Sequence, residues 1–169
     1  MSTYKTPDVY VKEISTFPPS VAEVETAVPA FIGYTEKADK NGDSLTLKPT
    51  KIFSLKEYEQ YFGGPKDDEI TLTVSENDDG SFKVDSFGEP TLKYIMYFSL
   101  KMFFNNGGGQ CYIISVGDYT GTGIEIGTNN KVGLKNGLAA LKNEDEPTLI
   151  VIPESIKLTT SASYEALSQ

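Results

Sequence analysis

Chemistry in this chain would have to be done without histidine. None of its 169 residues is His, and cysteine occurs once, at Cys111. That removes the usual neutral-pH general base, the Ser-His-Asp triads and most zinc sites. It also removes any disulfide framework within the chain. The remaining reactive types fall into a few clusters, each of which has a plainer structural reading. Asp39, Asn41 and Asp43 match the first three ligand positions of a calcium loop. Ser44 then stands where the loop needs glycine and Thr50 where it needs a bidentate glutamate, so the run reads as an Asx-rich polar turn. Gly121, Gly123 and Gly127 follow a strand-like run and precede a helical one, as a dinucleotide fingerprint would. The third glycine comes one position late, with Ile126 in its place, and no Gly-Lys-Ser/Thr occurs. The stretch reads as a plain flexible connection.

Asp67, Asp68 and Glu69, and separately Asp78 and Asp79, are adjacent carboxylates beside turns. Paired carboxylates serve glycoside hydrolysis or metal binding only when the fold aims them at one point, and hydrophilic turns more often leave them solvated. Cys111 opens an apolar run, where a free thiol behaves as a small hydrophobe. The expectation is a chain with no catalytic residue, no cofactor and no metal.

Composition narrows the partners. Twenty-four acidic against fifteen basic residues give a net charge of −9, unfavourable for general binding to nucleic acid or an anionic membrane. Apolar residues make up 38%, with ten Tyr and nine Phe, so the composition is that of a folded domain. No basic segment leads into an apolar run at the start, and Tyr94–Phe104 is too short to span a bilayer. Neither a signal peptide nor direct membrane insertion is expected.

These types must be positioned by elements that the hydrophobic pattern outlines. Residues 1–20 form an arm and linker with a short strand-like run at Asp8–Ile14 between Pro7 and Pro18-Pro19. Fully extended, such an arm reaches ~60 Å, far beyond the ~15 Å radius of a compact domain this size. It is expected to pair with another molecule, or to fold back on its own sheet. Ala30–Gly33 is a short buried strand. Ser54, Glu57, Phe53 and Tyr58 sit at the cap, capping-box and staple positions of a helix over about 54–62 that ends at Gly63-Gly64. A β-hairpin at about 69–87 alternates Ile70, Leu72 and Val74 with polar residues, turns at Asn77–Gly80, then alternates Phe82 and Val84. Its strands join the main sheet or protrude as a small module, with one face apolar.

A second helix is expected over about 91–105, with Pro90 near its first turn. Tyr94, Tyr97, Phe98, Phe103 and Phe104 make it apolar around most of its circumference, which suits an interface helix. The nearly continuous apolar run of Cys111–Val116 marks a strand covered on both faces. A helix over about 131–142, a second buried strand at Thr148–Ile152 and a further helix begun by Ala162–Leu167 follow. The alternation predicts an α/β fold with a mixed, partly parallel sheet flanked by helices.

Four stretches of this sequence resemble the N-terminal part of contractile tail sheath proteins. They are YKTPDVYVKEISTFPPSVAEVETAVPAFIGYTEKA (4–38), SLKEYEQYFGG (54–64), YFSLKMFFNNGGGQCYIISVG (97–117) and PTLIVIPE (147–154). The resemblance is nearest to the major sheath subunit of phage-tail-like extracellular injection particles. It implies a sheath-type α/β body over 21–169, preceded by the arm. Val9, Tyr10, Val11 and Ile14 would then be the arm residues that link neighbouring subunits. The implied partners are further copies in stacked six-fold rings, an inner tube protein, and the baseplate and cap proteins of the particle. Assembly would take place in the bacterial cytoplasm, with release as part of a particle. Family members run well past 169 residues, so this chain is expected to be a portion of a longer one or a short paralogue. The alternatives are a baseplate or terminator component of the same kind of particle, and an unrelated small α/β binding domain.

Overall fold

The computed structural model describes residues 27–68, 70–90, 92–121, 123–128 and 130–158, together with residues 165 and 167, which are helical. In chain order the elements are β1 (Pro29–Gly33), β2 (Asp39–Lys40), β3 (Asp43–Ser44), β4 (Thr50–Ile52), α1 (Leu55–Phe62), β5 (Leu72–Glu76), β6 (Phe82–Phe87), α2 (Met96–Asn105), β7 (Cys111–Ser115), α3 (Leu134–Ala140) and β8 (Leu149–Val151). Single 3-10 segments follow α3, at Leu141–Asn143, and β8, at Pro153–Lys157.

The main sheet has the order β4-β7-β1-β8. β1 lies parallel to β7 on one side and to β8 on the other, while β4 runs antiparallel along β7. This is the mixed, partly parallel sheet that the alternation of helices and strands predicts. The two central strands are buried throughout. Side-chain alternation divides them between two helical layers. Ala30, Ile32, Tyr112, Ile114 and Val116 pack with Leu134 and Leu141 around α3. Phe31, Cys111 and Ile113 pack with Tyr58 and Phe62 of α1 and with Met96 and Leu100 of α2. Gly137 lets α3 come down onto the sheet, since a Cβ there would lie 2.5 Å from Ile32 Cγ2 and 2.6 Å from Val116 Cγ1.

α1 follows its sequence grammar closely. Ser54 Oγ accepts the Glu57 N–H at 3.2 Å, and Glu57 Oε2 reaches back to accept the Phe53 N–H at 2.9 Å. The expected hydrophobic staple does not hold, because Tyr58 is buried while Phe53 lies in solvent. Asp39–Asp43 is the expected polar turn, a tight β2–β3 hairpin with Asn41 and Gly42 both at positive φ.

Three expectations need correction. α2 begins at Met96 rather than at 91, because Lys93 Nζ and the Tyr94 hydroxyl both donate to the Gly121 carbonyl, at 3.0 and 3.1 Å, and hold that stretch out of the helix. α3 begins at Leu134 rather than at 131, because the carbonyls of Glu125 and Ile126 take up the N–H groups of Leu134 and Lys135. The glycine-bearing connection is therefore a folded cap on α3, not a plain flexible link. β8 is an edge strand rather than a buried one. Among the described residues it pairs only with β1, and Leu149 and Ile150 are about half exposed.

Candidate functional site

The predicted interaction residues fall in different places. Val9, Tyr10, Val11 and Ile14 lie outside the described residues. Tyr94 and Tyr97 are buried in the core of their own chain. The Tyr94 ring stacks on Tyr119 at 4.8 Å, and the Tyr97 hydroxyl donates to Glu59 at 2.7 Å. Phe103 and Phe104 are half-buried, with Phe103 edge-on to Phe31. Phe98 is exposed. The outer stripe that α2 leaves uncovered consists of Phe98, Lys101, Met102 and Asn105.

The hairpin β5–β6 forms a two-stranded sheet of its own, and every residue of both strands is exposed. Gly80 takes positive φ in its turn, where its N–H donates to the Asn77 carbonyl. Simple alternation would place Phe87 on the face opposite Val84. A bulge prevents this: Val74 pairs with Val84 but Thr73 pairs with Ser86, which leaves Asp85 as the extra residue. Leu72, Val74, Phe82, Val84 and Phe87 thus share one face. That face is not laid on the core, and Phe82 and Phe87 are 75% and 68% exposed. The other face carries Thr73, Ser75, Lys83 and Ser86. Sequence reading missed Phe87 because its odd spacing conceals it. Its signal is the Val-Asp-Ser-Phe run, where one extra residue separates two apolar positions.

A crevice of about 410 Å³ opens beyond the carboxyl ends of β1 and β7, lined by Tyr34, Gly117, Asp118, Thr120, Glu125 and Lys131 among others. In open α/β sheets this is the usual place for a ligand. Here the polar groups are already engaged. Asp118 accepts the Thr120 hydroxyl at 2.5 Å and its N–H at 2.9 Å, and these bonds hold its carboxyl below the ordinary range. Glu125 is ion-paired to Lys131 at 2.6 Å. The Tyr34 hydroxyl accepts the Glu125 N–H at 2.9 Å, and burial raises its pKa. The first N–H groups of α3 are taken by carbonyls, so the helix terminus cannot hold an anion.

The most perturbed carboxyl is Glu154, which follows β8 and is fully buried. Its Oε1 accepts the Met96 N–H at 3.1 Å, capping α2 from 58 residues away. Among the described residues its Oε2 has no hydrogen-bond partner, and neither does the buried Tyr58 hydroxyl. Burial pushes the Glu154 carboxyl up to about 7, against the pull of backbone N–H groups that include that of Met96. Gly33 makes room for it, since a Cβ there would run into Glu154 Oε2 and Met96 Sδ. Cys111 is likewise buried, and desolvation pushes its thiol up to about 12, far from a reactive thiolate. Among the described residues no group of three or more acidic or Cys side chains is placed to hold a metal ion, and no helix is long and apolar enough to cross a membrane.

The polar groups that line the crevice are thus satisfied within the chain, and the largest gathering of exposed apolar side chains described above is the hairpin face. No protein-family model matches the sequence, and none of the curated proteins matches it significantly.

Proposed function

We propose that the chain is a structural subunit of a contractile sheath, a non-catalytic part of a cylinder that surrounds an inner tube. The single observation that supports an assembly role is the hairpin: five apolar side chains gathered on one face and left in water. A monomer gains nothing from that arrangement, whereas a subunit completed by neighbours does. The sequence resemblance narrows the assembly to a sheath. On this reading the N-terminal arm pairs with a neighbouring subunit, and contraction exchanges many small contacts between packed states that differ by a few kcal/mol. The linkage supplied by Val9, Tyr10, Val11 and Ile14 persists while body contacts change. A baseplate or terminator component of the same particle is the second reading, and the same exposed face suits it.

The test is immunogold labelling of particles from the source cells, paired with deletion of residues 1–14. Label repeating along striated cylinders, and loss of intact sheaths on deletion, is the expected result. Label confined to one end assigns the chain to the baseplate or terminator. Particles without label, or normal contractile sheaths after the deletion, overturn the sheath role or the role of the arm.

A further inference from the structure

We propose that the apolar face of one copy's β5–β6 hairpin docks head-to-tail on the outer stripe of α2 in a second copy. This rests on the reading that the chain is an assembly subunit, but it does not involve the arm.

Three features select this occupant. The first is shape. The hairpin face has Phe82 at its turn end, Leu72 and Phe87 at its root, and the smaller Val74–Val84 pair between them. Two such saddles laid face to face leave their centres apart, whereas a convex helical ridge fits between the aromatic ends. The second is charge. Glu76 lies on the same face beside Phe82, and Asp78 and Asp79 crowd the turn. The hairpin's only base, Lys83, is on the other face, 3.9 Å from Asp85. Two hairpin tips therefore repel, and so does an anionic lipid surface. α2 carries a single charged side chain, Lys101, and it lies on the exposed stripe between Phe98 and Met102. Met102 is 67% exposed, an unbranched and adaptable side chain suited to an interface.

The third is area. The five hairpin side chains offer ~500 Å² and the narrower α2 stripe less, so the total stays below ~1,000 Å², the range of weak and transient contacts rather than of obligate dimers. A contact of this size works by repetition. Head-to-tail docking supplies that repetition, because each copy that uses its hairpin still has a free α2 stripe.

Sedimentation velocity of the full chain, from about 10 µM to about 1 mM, tests the contact. Two variants carry the argument: F82S/F87S removes the hairpin face, and F98S/M102S removes the α2 stripe. Both change exposed residues, and circular dichroism checks that each is folded. The unmodified chain is expected to grow past dimer as concentration rises. Each variant alone should associate at least about tenfold more weakly. An equimolar mixture of the two should form a one-to-one dimer that does not grow, because one intact hairpin meets one intact stripe. A chain that stays monomeric throughout overturns the proposal. So does F98S/M102S associating like the unmodified chain, which would make the contact hairpin-to-hairpin. Flotation of the unmodified chain, but not of F82S/F87S, with neutral phosphatidylcholine vesicles would assign the face to lipid and overturn it too. The arm deletion leaves both surfaces intact, so failure here and failure of the sheath reading are separate results.

Discussion

β7 and the β5–β6 hairpin are both built from alternating or continuous apolar residues, yet one is buried at every residue and the other exposed at every residue. β7 has a strand on each side and a helical layer on each face, so Cys111 through Ser115 are all buried. Among the described residues the hairpin strands have only each other, and their apolar face looks into solvent. Burial is decided by what surrounds a strand, while its own composition decides only which face is able to be buried. The contrast separates a core packed on both faces of the sheet from a hairpin whose apolar face is packed on nothing among the described residues.

The largest break in that contrast is made in the body. Ile113 is fully buried between β1 and β4 on the α1/α2 side. Ile113→Ala removes packed atoms where the surrounding sheet cannot collapse, and is expected to cost ~3–4 kcal/mol. Urea unfolding checks it. A cost under ~1 kcal/mol would mean that β7 is looser than its burial implies.

The next largest effect belongs to Glu154, the one acidic or basic side chain that is buried among the described residues, and it has no ion pair there. Its folded-state pKa is raised from 4.5 to about 7, so the folded state holds a proton that the unfolded state releases. Stability therefore falls as pH rises across that window, by ~2–3 kcal/mol once both states are ionised. Tyr34, Tyr58, Tyr94 and Tyr119, which feel its charge, all have raised pKa values and stay protonated throughout. Asp79, Asp118 and Glu146 are shifted the other way, so their contributions are lost only on the acid side. Melting temperature should drop by roughly 6–8 °C between pH 5 and pH 8 in the unmodified chain and stay nearly level in Glu154→Gln. Equal slopes in the two proteins would sink the assignment.

The same division governs what the sequence could say. Local grammar was sufficient for α1, where Ser54 and Glu57 bond within five residues of each other. It was sufficient for β1 and β7, where burial on both faces shows as an unbroken apolar run. It failed at the start of α2, because the anchors are Gly121 and Glu154, distant in sequence. It gave no sign of β4, a three-residue strand whose pairing with β7 is entirely non-local. β8 was misread because the four consecutive apolar residues Leu149–Ile152 look alike whether one neighbour or two flanks them. Of the candidate surface, the hairpin and its turn were legible, but the joining of Phe87 to the apolar face depends on a bulge that alternation alone does not reveal.

The smallest stability effect is expected where the apolar side chain is largest and most exposed. Phe82→Ser removes an aromatic ring that is already three-quarters in water, so the unfolded chain exposes little more of it than the folded one. By transfer arguments the body should lose less than ~0.5 kcal/mol. Urea midpoints of the variant and the unmodified chain, measured at low concentration, should coincide. A loss of ~2 kcal/mol or more would show that Phe82 packs on its own body in solution. The hairpin would then belong to the packed body, and its apolar face would have no work left to do between copies.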